Sequence, residues 1–498
     1  MGVVVFLALV GTVVDMIWSS EEMESRGTKS MVFNTVKSFS VFSNARKLSD
    51  FTCPQDNLGF VYGMVFIVFC WVVVSNTFMY VNYDVTSNFV EALRILQNIF
   101  YEIVLNRVLP LQVLFFISGF LMTYRWIKGS EKNFHVCKFL FKKYIRYTVA
   151  YGLIIALVII SPSFGSGPSW SNYLTPMYKK CANNWWYNLL YINNFLETEN
   201  SCLEHTWVFA ITAQLYIVGV FVILVLKLNP KVGLMFMFFL TVASLASVAL
   251  TNVYYDLPPN EMSAFLDNRD RFFYAEHSHY RLYTHISIYC AGIFVGYFTA
   301  KNPDIKISRK MSWILWVTTT SGFIAALCTV HEWRSGYLPS PMVAAVYSAF
   351  SKVAEMAFLS WLTTACMTGH AGGLTALLSW RPFCFLARLT FIAYAMHVPI
   401  ITMLNGFRKS HMFISQLEIF YVVLSYAAAT YVVSYILHLF FEAPWISLSD
   451  VIRRRSNVKT FTCYENSAMT EKPVKNGEKP ISITVNNKNW MNSLEKGC

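Results

Sequence analysis

Three histidines lie in or beside apolar stretches, where an ionisable side chain is costly and is usually retained for function. His205 comes just before the apolar run that starts at Trp207, His397 lies inside another run, and His285 lies near the start of a third. Histidine is the usual general base near neutral pH. Each is therefore a candidate for moving a hydroxyl proton. The structural alternatives stay open: a helix cap at His205, a neutral interhelical hydrogen bond at His397, and an interfacial position at His285.

Two further groups of charged residues have both a structural and a chemical interpretation. Lys352 and Glu355 are three residues apart in one apolar run, a spacing that favours an ion pair on one helix face. Four basic residues follow or begin apolar runs and could contact a phosphate group at the cytosolic face, although a positive-inside anchor explains them equally simply. They are Arg125, Lys142, Lys143 and Arg146.

The composition indicates that these residues belong to a membrane protein. Of 498 residues, 55% are hydrophobic and only 14% are charged, whereas a soluble domain has about 25% charged residues. This balance excludes a soluble enzyme, a disordered protein and a disulfide-rich secreted scaffold. The net charge of +12 does not indicate nucleic acid binding, because the basic residues recur in short loops between apolar runs.

The apolar runs predict an all-α, polytopic transmembrane helix bundle of about eleven spans. The predicted inner loops hold 18 Lys and Arg against 7 Asp and Glu, which predicts an N-out, C-in orientation. The first run has a signal peptide as its alternative. The spans are predicted at 2–18, 58–80, 107–124, 146–162, 206–226, 232–250, 283–300, 312–330, 343–368, 385–406 and 416–441.

The domain organisation follows from these runs. Residues 1–18 form the first span, 19–57 a polar cytosolic linker, 58–445 the main transmembrane domain, and 446–498 a basic cytosolic tail with the composition of a disordered segment. Cys181 and Cys202 are the cysteines that fall in a predicted outer loop, so we expect them to form a disulfide. No cysteines have C-x2-C spacing, and we expect no metal site.

Several motifs recur in a characteristic order. Residues 185–195 read WWYNLLYINNF, and His205-Thr206-Trp207 follows. Further matches are Gly11-Thr12-x2-Asp15, Phe115-Phe116-Ile117-Ser118-Gly119, Gly292-x3-Gly296, Arg388-Leu389-Thr390-x3-Tyr394-x2-His397-x-Pro399 and Phe441-Glu442-x-Pro444. Together they resemble the acyltransferase-3 family, and in particular its animal branch, the nose-resistant-to-fluoxetine-like proteins. The resemblance covers nearly all of residues 1–445.

This resemblance implies transfer of an acyl group to a hydroxyl of a lipid or small molecule. The implied donor is acyl-CoA, a co-substrate rather than a bound cofactor, which the four basic residues above would meet. The implied partners are membrane lipid and a hydroxyl-bearing or hydrophobic small molecule, in the endoplasmic reticulum or plasma membrane. Animal members usually carry a cysteine-rich ectodomain before the first matching span. The chain is therefore expected either to be truncated or to have lost that ectodomain.

The chain departs from the family pattern at four positions. The family pattern has an Arg followed eleven positions later by a His, and the alignment puts Val65 and Asn76 there. Gln112 and Thr212 stand where the pattern has Asp. Asn exchanges no proton near neutral pH. We therefore favour a pseudoenzyme that binds or conveys lipid, with two alternatives: an active O-acyltransferase whose base has moved to His205 or His397, and a membrane scaffold for another protein.

Overall fold

The computed structural model describes residues 2–17, 31–50, 58–80, 86–88, 90–91, 106, 108–129, 136–167, 169–259, 268–334 and 339–451. Residues 1–448 form one unit, to which everything below refers. In the described ranges, all named secondary-structure elements are helices, which confirms the all-α class. The predicted tail lies almost entirely outside the described residues.

Eighteen α-helices follow one another through the described ranges. They are α1 (Gly2–Ile17), α2 (Met31–Lys37), α3 (Val41–Leu48), α4 (Gly59–Met79), α5 (Val108–Lys128), α6 (Val136–Ile160), α7 (Trp170–Leu189), α8 (Trp207–Leu228), α9 (Pro230–Tyr254), α10 (Asn268–Tyr274), α11 (Tyr283–Lys301), α12 (Arg309–Cys328), α13 (Val330–Arg334), α14 (Pro341–Met367), α15 (Gly372–Leu378), α16 (Arg381–Arg388), α17 (Thr390–Gly406) and α18 (Gln416–Leu437).

Among the described residues, eight helical segments are long and apolar enough to cross a membrane, and α16 with α17 forms a ninth if a 64° bend between them is allowed. Two predicted spans fall short of this standard. Helix α1 has only 16 residues, and α11 is less apolar because it carries buried Thr284, His285 and Ser287. The chain is thus an integral multi-pass membrane protein. Its predicted count of eleven spans and its N-out, C-in orientation remain predictions.

Burial separates central from peripheral spans. About 61% of the apolar window of α4 and of α5 is buried inside the protein, against 22% for α9. The outward face of α9 exposes large apolar side chains such as Phe238 and Phe239. In a bilayer such a face meets lipid tails, while helices satisfy their own backbone polar groups. The site should therefore be sought between α4, α5 and their neighbours.

Close packing of α5 against α11 depends on glycines. A Cβ added at Gly119 would lie 2.5 Å from the Tyr289 carbonyl oxygen, and one at Gly296 would lie 2.6 Å from that of Phe120. A Cβ at Gly292 would collide with the Phe116 carbonyl. Small residues at an x3 spacing let membrane helices approach to backbone contact. This contact fixes the registers of Gln112 on α5 and His285 on α11.

Part of the predicted linker is helical and is tied to α1. The Asp15 carboxylate accepts hydrogen bonds from Ser40 Oγ (2.7 Å) and Ser43 Oγ (2.6 Å) and pairs with Lys37 Nζ at 2.9 Å. These bonds attach α2 and α3 to the first helix. Residues 19–30 and 51–57 of the linker lie outside the described residues.

Candidate functional site

Three side chains from distant parts of the chain meet in the interior. Asn76 Nδ2 on α4 lies 2.8 Å from His397 Nε2 on α17. The His205 ring, in the 3-10 turn Glu204–Thr206, lies 4.9 Å from the His397 ring, centroid to centroid. Asn76 and His205 are each 5% exposed, and His397 is fully buried. The structure therefore brings both predicted histidines to the position of the expected family histidine.

The partners of His397 determine which proton it carries. His397 Nδ1 lies 2.6 Å from the Tyr394 carbonyl oxygen. Because a carbonyl only accepts, Nδ1 carries the proton and Nε2 accepts from the Asn76 amide. Both nitrogens of neutral His397 are thus occupied, and this residue is a hydrogen-bonded support rather than a free base.

His205 has a different arrangement, set by Pro399. Proline has no backbone N–H, so in α17 it leaves the carbonyl of residue 395, one turn earlier, without its usual helical donor. His205 Nε2 lies 3.2 Å from this Ala395 oxygen and donates to it. In the described part of the chain, His205 Nδ1 has no hydrogen-bond partner. Neutral His205 therefore keeps a buried, unoccupied lone pair on Nδ1.

A small cavity lies beside this histidine. Six of its lining residues are Asn76, Glu204, His205, Trp207, His279 and Tyr394, and we call it the His205 cavity. Its volume is about 10 Å³, which is close to the minimum for one water molecule. Tyr394 Oη donates to the His205 carbonyl oxygen at 2.9 Å and so fixes the backbone of the turn.

The WWYNLLYINNF segment supports the turn that carries His205. Asn188 Nδ2 donates to the Cys202 carbonyl at 2.8 Å and to Tyr151 Oη at 2.6 Å. Tyr151 Oη in turn donates to Thr206 Oγ1 at 2.6 Å. A disulfide joins Cys181 on α7 to Cys202. Sequence reasoning missed the role of Asn188, although a polar residue in an aromatic motif is a usable signal.

Gln112 belongs to a neighbouring group of polar side chains. His285 Nε2 donates to the His279 carbonyl at 2.9 Å, and the Gln112 side-chain amide, measured to Oε1, lies 3.3 Å from His285 Nδ1. A neutral His285 accepts there from the amide nitrogen once the amide is turned. The Trp207 ring stacks 5.5 Å from His285, centroid to centroid, and so separates this group from His205.

A second cavity, of about 90 Å³, adjoins this group. Its polar lining residues include Gln112, Ser278, His279, Ser351, Lys352 and Glu355, and we call it the Lys352 cavity. The predicted Lys352–Glu355 ion pair is wrong: the structure joins these two described residues by no salt bridge or hydrogen bond, and Glu355 Oε1 is buried without a partner. Among the described residues no group of three metal-ligating side chains is present.

The four basic candidates lie apart from both cavities. Arg146 Nη2 pairs with Glu442 Oε1 at 3.1 Å, and the other carboxylate oxygen lies 3.0 Å from His438 Nδ1. Lys143 Nζ lies 3.9 Å above the centre of the Tyr216 ring, a cation–π contact. Arg125 and Lys142 are exposed. A phosphate-binding role for these residues remains a prediction.

Comparison with known proteins gives the same family as the motifs. A family model described as an acyltransferase domain of the acyltransferase-3 type matches residues 63–439. The chain belongs to the acyltransferase-3 family. It is 25% identical to the Caenorhabditis elegans "Nose resistant to fluoxetine protein 6" over 94% of this chain and 60% of that protein. It is also 22% identical to the "Regulator of hypoxia-inducible factor 1" of the same organism, over 70% of each chain. No solved structure matches.

The acyltransferase-3 chain spans about 60% of the length of its first curated relative. Within this shared part, two departures from the family pattern lie away from His205. Val65 packs against the apolar core, and its eleven-residue spacing from Asn76 places it about 16 Å away along α4. Thr212 Oγ1 donates to the Val208 carbonyl at 2.7 Å, inside its own helix. Residues 65 and 76 are therefore too far apart for a side chain at 65 to orient one at 76.

Proposed function

We propose that this membrane protein transfers an acyl group from acyl-CoA to a hydroxyl, with His205 as the general base. The observation that carries the proposal is the unoccupied Nδ1 of a buried His205 whose Nε2 is oriented by a carbonyl. Burying a polar nitrogen without a partner is costly. A site that had lost its chemistry would have no reason to retain this cost beside Asn76.

Each step of the proposed reaction has an assigned group. His205 Nδ1 takes the hydroxyl proton as the oxygen bonds to the thioester carbonyl carbon. Asn76 Nδ2 has two N–H groups and gives one to His397, so the second can stabilise the oxyanion. When the carbon–sulfur bond breaks, the imidazolium returns its proton to the CoA thiolate. Position 76, where the family pattern has a histidine base, thus supplies a hydrogen-bond donor in this chain.

Family membership and the multi-pass fold support the following setting for the proposed reaction. The donor would approach the inner face near Arg125, Lys142, Lys143 and Arg146, in the endoplasmic reticulum or plasma membrane. The acceptor is a hydroxyl-bearing lipid or small molecule. The membrane itself is the lipid partner, and no bound cofactor takes part.

A test of this proposal measures free CoA released from oleoyl-CoA by the purified chain in nanodiscs. Glycerol, a monoacylglycerol and a sterol serve as acceptors. We expect release that depends on an acceptor and falls about 10²- to 10⁴-fold in His205→Ala, the usual contribution of a general base. His411→Ala is the matched control, because His411 is exposed. Equal release by His205→Ala and the unmodified chain would reject His205 as the base.

A second candidate function is lipid binding without chemistry. It is favoured by Val65, which puts an apolar side chain in the core where the family pattern has a cation. Under this alternative, no acceptor stimulates CoA release by the purified chain. Mass spectrometry of the nanodiscs would then show a lipid that co-purifies with the chain and is retained in His205→Ala.

A further inference from the structure

The Lys352 cavity is a polar space between apolar helices. Helix α14 contributes Lys352, Glu355 and Ser351, while α5 contributes Gln112 and the segment after α10 contributes His279. Lys352 and Glu355 lie near the middle of α14, eleven and fourteen residues after its first residue. A charged group at the centre of a span is costly and is usually retained for function. Two such groups around one cavity call for a functional explanation.

A purely structural ion pair does not supply that explanation. Such a pair lowers its own insertion cost by bringing the two charges into contact. Here Lys352 and Glu355 are near enough to attract each other electrostatically, but they form no direct pair. Glu355 is only 6% exposed, and its Oε1 has no partner among the described residues. The pair is therefore held open around the cavity.

The cavity also adjoins the proposed catalytic base. His279 lines both the Lys352 cavity and the His205 cavity. Leu111 and Gln112, neighbours on α5, line the His205 cavity and the Lys352 cavity respectively. The two cavities thus share His279 and adjoining residues of α5, so a molecule held in the Lys352 cavity lies next to the His205 cavity.

We propose that the Lys352 cavity binds a small, uncharged, hydroxyl-bearing molecule, which is the acyl acceptor. A hydroxyl can donate to the Glu355 carboxylate and accept from the Lys352 ammonium, so this functional group complements both of the charged residues that line the cavity. A simple cation or anion is attracted by one of these two charges and repelled by the other, so neither kind of ion is favoured by both residues. The Ser278 hydroxyl and the Gln112 amide supply further bonds of the same type. The acceptor role rests on the proposed function; the binding itself does not.

The experiment measures protection of an introduced cysteine by glycerol. Ser351→Cys places a thiol in the cavity wall, and Val353→Cys, on the same helix and 44% exposed in the free face, is the matched control. Methyl methanethiosulfonate labels the full chain in nanodiscs, with the unmodified chain as background. We expect saturating glycerol to slow labelling at 351 at least fivefold more than at 353.

Two variants in the Ser351→Cys background, together with a second ligand, separate the ligand classes. The double change Lys352→Met with Glu355→Leu removes both charges together, so no unpaired charge is left to prevent folding, and it should abolish protection. Lys352→Met with Glu355→Gln likewise leaves no unpaired charge, keeps an acceptor oxygen at position 355 and should retain protection. Glycine, a zwitterion, should protect less than glycerol. Protection by glycine but not glycerol, or equal protection at 351 and 353, would overturn the proposal.

The acceptor role is tested separately from binding. If glycerol protection survives His205→Ala, the proposed binding site stands even when no acyl transfer is found. Conversely, acyl transfer to glycerol that is unchanged in Lys352→Met with Glu355→Leu would reject this cavity as the acceptor site and leave His205 as the base.

Discussion

Replacing Pro399 by alanine tests how His205 is oriented. The new N–H at position 399 would lie one helical turn after Ala395 and would donate to the carbonyl that His205 Nε2 now occupies. His205 would lose a hydrogen bond worth about 0.5–1.5 kcal/mol. The same change removes a proline from the interior of α17, which favours the helix by up to about 3 kcal/mol. We therefore expect a more stable but less active protein.

The size of the effect follows from these energies. Since 1.36 kcal/mol changes a rate tenfold, loss of the orienting bond lowers acyl transfer about 2- to 10-fold. Thermal unfolding followed by circular dichroism should shift to higher temperature. Pro176→Ala is the matched control, because Pro176 also lies inside a helix, α7, but belongs to neither of the two cavities. It should become more stable without losing activity.

A readout independent of activity completes this test. Selective 15N labelling of histidine reports which ring nitrogen carries the proton, and His205→Ala identifies the signal of His205. We expect the Nε2–H form in the unmodified chain and a mixture of both forms in Pro399→Ala. An unchanged tautomer together with unchanged acyl transfer would refute the orientation of His205 by the freed Ala395 carbonyl.

Two further predictions concern the scaffold. In Gly292→Val the new side chain would meet the α5 backbone, so we expect size-exclusion chromatography to show no folded protein. Gly322→Val is the control, because open space surrounds Gly322, and its yield should be unchanged. Equal yields of the two variants would contradict the close packing of α5 and α11. Replacing Cys181 and Cys202 together by serine removes a disulfide between residues 21 apart in the sequence. We expect the free energy of unfolding to fall by about 3 kcal/mol and the thermal midpoint of unfolding to fall with it. An unchanged midpoint would count against a stabilising disulfide.

The helices were predictable because their signal is local. Apolar runs of the length of a bilayer mark each span, and every predicted run coincides with one helix or with the bent pair α16–α17. What sequence could not give is the path of the chain between spans. Asn76 and His397 are 321 residues apart, so their contact depends on the packing of α4 against α17. Likewise, spacing alone paired Lys352 with Glu355, but the side chains line a cavity that α5 and α12 help to form.

The departures from the family pattern gain a different meaning from this packing. From the sequence alone, Asn76 in place of the family histidine indicates that the base has been lost. In the folded chain the Asn76 amide donates to Nε2 of His397. Of the two histidines at this site, His205 is the one that has a ring nitrogen without a hydrogen-bond partner among the described residues. Replacing Asp by Gln112 likewise removes a charge but preserves a hydrogen-bonding side chain against His285. These two substitutions thus replace ionisable side chains while keeping hydrogen bonds to buried histidines, whereas Val65 packs against the apolar core. The proposed move of the base to His205 accounts for the first two.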